Sequence, residues 1–182
     1  MKSKKKILAC AVILLCLSVM AQSTQAFYVR SETARNVITT SRIDIDLRET
    51  DAAGNPFVDQ FHVLPGQQVE KEVTVRNAGP QDAYVRVRLE KVFQNVNGQP
   101  DASLVALDIN SSDWTYRDGY YYYNEPLSRN GGQTPELLTG VTFSESMGNQ
   151  YQGSQFKLIV TVQATQVANN GESVFEAKGW PM

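Results

Sequence analysis

Apolar and polar side chains alternate with a period of two residues over much of the chain. Four runs show it: Ile43, Ile45 and Leu47 interleave with Asp44, Asp46 and Arg48; Val69, Val73 and Val75 with Glu70, Glu72, Thr74 and Arg76; Ala83, Val85, Val87 and Leu89 with Tyr84, Arg86, Arg88 and Glu90; Phe156, Leu158, Val160, Val162 and Ala164 with Lys157, Thr161 and Gln163. Because successive side chains of a strand point to opposite faces, this pattern predicts half-buried strands.

Turn signals separate these runs. They are Pro65-Gly66, Asn77-Ala78-Gly79-Pro80, Asn97-Gly98, Asp118-Gly119, Asn130-Gly131-Gly132 and Asn170-Gly171. Asn-Gly and Asp-Gly tolerate a positive φ and so close hairpins. No long segment has a 3.6-residue apolar period, and only residues 102–107 hint at a helical turn. The prediction is an all-β fold, an antiparallel sandwich of jelly-roll or immunoglobulin-like type.

Residues 1–26 differ from the rest of the chain. Lysines at 2 and 4–6 precede an apolar run over residues 7–21, and small residues follow up to Ala26. This order predicts a helical export signal that is cleaved after Ala26. A membrane anchor is the alternative, but about 15 apolar residues fall short of the ~20 that a spanning helix needs. We therefore expect residues 27–182 to form a single secreted domain, located in an extracellular matrix or at the cell surface.

Removal of that signal changes the charge and the cysteine content. Four of the 17 Lys and Arg residues lie in it and none of the 19 Asp and Glu residues, which leaves 13 basic against 19 acidic residues, a net charge of about −6. An acidic surface argues against nucleic acid as a partner, since binding of nucleic acid depends on clustered Lys and Arg. Cys10 and Cys16, the two cysteines, both lie in the signal, so the secreted domain has no disulfide.

Residues for catalysis or metal binding are scarce. His62 is the single histidine, no His-Glu-x-x-His stretch exists, and no cysteine follows the signal. We therefore expect no enzyme activity, no metal and no cofactor. Asp44 and Asp46 share a strand face and could offer two oxygens to calcium, but calcium needs six or more, and a solvated outer face explains the same pattern.

The densest aromatic feature is Trp114 with the run Tyr120, Tyr121, Tyr122 and Tyr123. On a strand the tyrosines point alternately to the two faces, so one pair is available for the core and the other for solvent. A surface that binds carbohydrate or peptide is one interpretation of this cluster. Ordinary core and edge packing is the other.

Several stretches in order resemble the TasA/camelysin family of exported biofilm-matrix proteins of Gram-positive bacteria. They are Ala26-Phe27-Tyr28-Val29, Ser31-Glu32-Thr33-Ala34, Asn36-Val37-Ile38-Thr39, Val63-Leu64-Pro65-Gly66, Val69 to Asn77, Asp82 to Val87, Trp114 with Asp118 to Tyr123, Gly132-Gln133-Thr134, Leu137-Leu138 and Val162 to Gln166. The chain departs from the family in being shorter than its main fibre-forming members and in having Thr40-Ser41 where a Gly commonly precedes the first long strand.

The resemblance implies a jelly-roll domain, export through a signal peptidase of the SipW type, and subunits that assemble by donating a strand to a neighbour. Residues 27–38 are the expected donor strand, with Phe27, Tyr28, Val29, Val37 and Ile38 as its assembly residues. Cleavage after Ala26 would leave these apolar groups at a mobile terminus, where a soluble monomer gains nothing from them. Partners beyond self-association are accessory matrix proteins or the cell wall.

Three functions follow in order of preference. The first is a secreted structural subunit of extracellular fibres, and the second is a monomeric adhesin or ligand-binding module that uses the tyrosine cluster. The third, a camelysin-like metallopeptidase, lacks a zinc-ligand set in this sequence.

Overall fold

Strands make up most of the regular structure in the computed structural model, which describes residues 36–39, 43–57, 61–62 and 64–181. The strands are β1 (Asn36–Thr39), β2 (Ile45–Thr50), β3 (Phe61–His62), β4 (Gln68–Asn77), β5 (Ala83–Gln94), β6 (Val105–Ile109), β7 (Trp114–Arg117), β8 (Tyr120–Tyr123), β9 (Gly132–Gln133), β10 (Leu138–Phe143) and β11 (Gln155–Gln166). Two single 3₁₀ turns, Ala102–Leu104 and Asn149–Tyr151, accompany them. The helical hint at residues 102–107 is therefore one turn, which ends where β6 begins.

The strands form two sheets. Sheet A has the order β1-β11-β5-β8-β7, with β3 also beside β11, and sheet B has the order β2-β4-β10-β6, with β9 beside β4. All pairings are antiparallel except that of β1, which runs parallel to β11. The expectation of an all-β fold with antiparallel strands is confirmed.

One apolar core lies between the inner faces of the two sheets. Sheet B contributes residues such as Leu47, Val75 and Val141, and sheet A contributes residues such as Val87 and Val162. Apart from Val141 in β10, these side chains are apolar members of the alternating runs, so the period-two pattern correctly identified the core-facing side of β2, β4, β5 and β11.

The turns between strands use the predicted residues. Asp118 and Gly119 both have positive φ, at 51° and 85°, and join β7 to β8. After β4, the backbone N–H of Gly79 donates to the Asn77 side-chain oxygen at 3.0 Å, while the Asn77 amide donates to the carbonyls of Gln81 and Leu127. This one buried side chain therefore organises the turn between β4 and β5.

A buried ion pair joins β2 to β4 on the inner face of sheet B. Lys71 Nζ lies 2.9 Å from Glu49 Oε1, and the two side chains are only 1% and 6% exposed. The Lys71 ammonium also lies 4.3 Å from the centre of the Phe57 ring. Because Glu49 is the register partner of Val73, Lys71 is its diagonal neighbour across the two strands. Glu49 continues the inward-facing positions of Ile45 and Leu47, and Lys71 supplies the counter-charge that a buried carboxylate needs.

The outer face of sheet A is covered by the C-terminal segment, residues 167–181. Val174 is buried against Tyr84 and Tyr122, with half-buried Trp180 beside them. Asn170 holds the segment in place, since its amide donates to the carbonyls of Gln166 and Lys178 and its oxygen accepts the Lys178 N–H at 2.7 Å. Tyr84, which alternates with the apolar, core-facing residues of β5, is buried on this outer face because a segment distant in sequence folds back over it.

Arg86 lies in an aromatic box on this face. Its guanidinium carbon is 4.0 Å from the centre of the Tyr120 ring and 4.5 Å from that of Trp180. Its nitrogens donate to Gln163 Oε1 at 2.7 Å and to the Tyr122 hydroxyl at 3.1 Å. Arg86 thus connects β5, β8, β11 and the C-terminal segment, whereas the alternation showed only that it lies on the face of β5 opposite the core.

The described part of the chain contains no helix with the length and apolar character that crossing a bilayer requires. Residues 1–26, where an export signal is predicted, lie outside the described residues.

Replacing Glu49 by Gln should lower the free energy of unfolding by ~3–5 kcal/mol, because Lys71 would then be buried without its counter-charge. Urea titration followed by circular dichroism measures this. The double variant Glu49→Met with Lys71→Met is the control, since loss of both charges should restore most of the stability. A loss of less than about 1 kcal/mol for Glu49→Gln would show that the pair is solvated.

Replacing Trp180 by Ala should lower the free energy of unfolding by about 1–3 kcal/mol, because it removes a ring contact with Tyr122 and one wall of the Arg86 box. Phe175→Ala is the matched control, since the Phe175 ring also contacts that of Tyr122, at 5.6 Å, but it is 40% exposed and is not a wall of the Arg86 box. Limited proteolysis should cut the C-terminal segment sooner in Trp180→Ala than in the control. Equal cleavage of the two variants would contradict an anchoring role for Trp180.

Candidate functional site: the outer edge of β11 and the tyrosine hairpin

The outer edge of β11 is the first candidate site. All twelve residues of β11, Gln155–Gln166, pair with β5 on one side. The opposite side is shared by two short strands, β3 at positions 155–156 and β1 at positions 161–164. Within the described residues, positions 157–160 have a strand partner on the β5 side alone. Main-chain groups on such an edge are available to pair with another extended segment.

β1 occupies part of this edge. It pairs in parallel, with Val37 opposite Val162 and Ile38 opposite Gln163. These two residues were expected on a neighbouring copy, and here their backbone lies on the sheet of their own chain. β1 pairs with its own chain because it is tethered close to this edge, where its effective concentration is higher than that of the same strand on a separate molecule. Phe27, Tyr28 and Val29, the other expected assembly residues, lie outside the described residues.

The tyrosine hairpin, formed by β7 and β8, is the second candidate site. Trp114 and Tyr123 are register partners with ring centres 5.4 Å apart, and both belong to the core between the sheets. Trp114 is 1% exposed and is therefore not a surface group. On the opposite face, Tyr122 is 7% exposed beneath the C-terminal segment, and Tyr120 contacts Arg86. Core and edge packing accounts for these four residues.

Tyr116 and Tyr121 form the exposed end of the hairpin. Their ring centres are 4.9 Å apart, and Tyr116 is 63% exposed, the largest exposed fraction among the large apolar side chains that are described. Burial raises the pKa of Tyr121 above its usual value, and the nearby Tyr116 raises it further. Burial likewise raises the pKa of Tyr123, with smaller effects from Asp113 and Glu125. Both phenols remain protonated at neutral pH. Sequence reasoning missed Tyr116, although its two-residue spacing from Trp114 was a signal.

The remaining chemistry-bearing residues do not come together. His62 lies in β3 opposite Gln155, while Asp44 and Asp46 are exposed. Among the described residues, no group of three or more His, Cys, Asp or Glu side chains is placed to hold a metal ion. A cleft of about 250 Å³ beside Leu64 and Tyr151 is largely apolar, and the Tyr151 hydroxyl is already engaged by the Asp101 N–H at 2.7 Å.

Comparisons of the chain with family models, with curated proteins and with solved structures find no match in any of the three.

Proposed function

We propose that this protein is a secreted structural subunit that self-associates into extracellular fibres by exchanging its N-terminal strand between copies. It carries out no catalysis in this role and needs no cofactor. Export through a SipW-type signal peptidase and a place in a biofilm matrix or at the cell surface belong to the same proposal. Their support is the order of motifs that resembles the TasA/camelysin family.

The main structural support for strand exchange is the position of β1. Asn36–Thr39 is the end of the expected donor strand, and it pairs over only four residues, in parallel, at the edge of a sheet. Parallel pairing is slightly less stable per residue than antiparallel pairing. A short parallel edge strand is therefore among the least costly elements of the fold to release. The apolar residues Phe27, Tyr28 and Val29 precede it in the sequence.

The energetics of exchange depend on how many residues engage. Each buried aromatic or Val side chain contributes ~1.5–3 kcal/mol, and each hydrogen bond a net ~0.5–1.5 kcal/mol. Association costs ~4–15 kcal/mol, so five or more engaged residues are needed for a favourable balance. A head-to-tail contact of this kind does not close on itself, and it therefore propagates into a fibre.

The jelly-roll class is part of the proposal. Its support is the strand order, because neighbours such as β11 and β5, β5 and β8, or β4 and β10 are distant in sequence. Such neighbours require long connections that cross between the two sheets, as Greek-key topologies do.

Deletion of residues 27–35 should leave a folded protein that stays monomeric, because the apolar part of the donor strand is gone. Electron microscopy and light scattering at high concentration measure assembly, and circular dichroism checks the fold. A chain of unchanged length with Phe27, Tyr28 and Val29 replaced by Ser separates the loss of apolar groups from the loss of length, and it should also fail to assemble. Fibres formed by the deletion variant would refute strand donation.

A monomeric adhesin is the second candidate function, and the exposed Tyr116–Tyr121 pair favours it. Paired aromatic rings at a surface offer large contact area at low cost in side-chain entropy, which suits sugar rings or peptides. Under this alternative, the tyrosine face binds a cell-wall polymer without assembly.

Replacing Tyr116 and Tyr121 together by Ser should abolish retention on purified cell-wall polysaccharide if the adhesin alternative holds. Arg117→Ser is the matched control, because it changes an exposed residue of the same hairpin without removing a ring. Retention unchanged by the double substitution would remove this alternative.

A further inference from the structure

We infer that Tyr116 and Tyr121 form a site of oxidative modification, at which a peroxidase that uses hydrogen peroxide joins the two rings into dityrosine within one chain. This modification is independent of strand exchange, since it needs only an oxidant that reaches the hairpin. The bond would link β7 to β8 covalently at the exposed end of the tyrosine hairpin.

The register of the hairpin holds the two rings together. Tyr116 lies directly opposite Tyr121, and the ring centres are 4.9 Å apart with an angle of 51° between the ring planes. One step before β7, the Asn124 N–H donates to the Asp113 carbonyl at 3.0 Å, which marks a hydrogen-bonded pair of the antiparallel ladder. Since the two kinds of pair alternate, the Tyr116 pair is of the other kind, in which side chains lie closer together. Directly bonded rings have centres only slightly closer than these, so little movement is needed.

Exposure distinguishes this pair from the other pair of tyrosine rings in the hairpin. Tyr116 is 63% exposed, so an oxidant in solution reaches its phenol. The rings of Tyr120 and Tyr122 are 6.4 Å apart and meet edge to face, and Tyr122 is only 7% exposed. The Tyr122 hydroxyl also accepts a hydrogen bond from Arg86 at 3.1 Å beneath the C-terminal segment. Coupling is therefore expected at the Tyr116 pair and not at the Tyr120 pair.

The coupling is a two-electron oxidation. The peroxidase, oxidised by hydrogen peroxide, removes one electron and one proton from each phenol and leaves two phenoxyl radicals. Each unpaired electron is shared with the ring carbons beside the hydroxyl-bearing carbon, and one such carbon of each ring forms the new C–C bond. The hydrogen on each bonded carbon is then transferred to the phenol oxygen, and both rings become aromatic again. In total the protein loses two hydrogen atoms, and one hydrogen peroxide becomes two waters.

The bond would restrain an element that the fold holds only lightly. The β7–β8 hairpin is the edge of sheet A, and β8 pairs with β5 at two positions only. The chain has no cysteine after Cys16, so no disulfide can form among the described residues. A covalent cross-link stabilises a fold by restraining the unfolded chain, and the effect is smaller for a short loop. We therefore expect stabilisation that is confined to the hairpin and that thiols do not reverse.

Peptide mapping after oxidation tests this. The purified chain, kept monomeric, is treated with a haem peroxidase and hydrogen peroxide, denatured and digested with trypsin. Cleavage after Arg117 places Tyr116, as the only tyrosine, in the peptide 92–117 and Tyr121 in the peptide 118–129. Mass spectrometry should find these two peptides joined, at the sum of their masses less two hydrogens. The treated protein should also gain the fluorescence of dityrosine.

Four conservative variants locate the bond. Tyr116→Phe and Tyr121→Phe should each abolish the joined peptides, because phenylalanine forms no phenoxyl radical. Tyr120→Phe and Tyr123→Phe are the matched controls and should keep the product, since each removes one phenol of the same hairpin outside the pair. All four variants retain the ring, and circular dichroism checks their fold.

Three results would overturn the proposal. Joined peptides that persist in Tyr116→Phe would place the bond at Trp114, whose ring centre is 5.4 Å from that of Tyr123. Two copies of the peptide 92–117 joined to each other would show that Tyr116 couples between chains. Absence of the joined peptides after the peroxide is consumed would show that the pair does not couple. Deletion of residues 27–35 tests the proposed function separately, so either can fail without the other.

Amide hydrogen exchange measures the effect of the bond on the hairpin. Exchange over residues 114–123 should be slower after oxidation of the natural chain and unchanged after the same treatment of Tyr116→Phe. Equal exchange before and after oxidation of a chain with joined peptides would overturn the stabilising role of the bond.

Discussion

The antiparallel pairing of β5 with β11 is the interaction on which the rest of the structure depends. It runs over twelve residue pairs without interruption, from Gln155 opposite Gln94 to Gln166 opposite Ala83. Its inner face supplies much of the core, and its outer face carries Tyr84 and Arg86, against which the C-terminal segment packs. Because β5 occupies one side of β11 completely, every other partner of β11 must share the opposite side.

That constraint connects the fold to the proposed function. The outer side of β11 is twelve residues long, whereas the described strands that cover it, β1 and β3, pair over four and two residues. Under the proposed function, the remainder of this edge pairs with further extended chain. The other N-terminal strand, β2, is bound by apolar burial and a buried ion pair. β1 and β2 therefore differ in how firmly the fold of the single chain holds them.

Most aromatic residues of the tyrosine hairpin pack against other side chains, and few of them are exposed. Trp114 and Tyr123 fill the core, while Tyr120, Tyr122 and Trp180 enclose Arg86 on the outer face. A run of four tyrosines in a hairpin is thus explained mainly by packing on both faces of one strand. Tyr116, 63% exposed, extends toward solvent beside the half-buried Tyr121, and a ligand could contact the hairpin at this pair.

Local pattern and turn chemistry determined the strands β2, β4, β5 and β11, the side of each that faces the core, and several of the positions where the chain reverses. Val85 and Val87, or Asp118 and Gly119, could be assigned because strand alternation and positive φ depend on neighbours in sequence. The tertiary structure alone decided that Glu49 meets Lys71, that Tyr84 is covered by Val174, and that β1 lies parallel on β11. Each of these contacts depends on which distant segment packs beside the strand. Period-two alternation is the same whichever segment that is, so it cannot identify the neighbour.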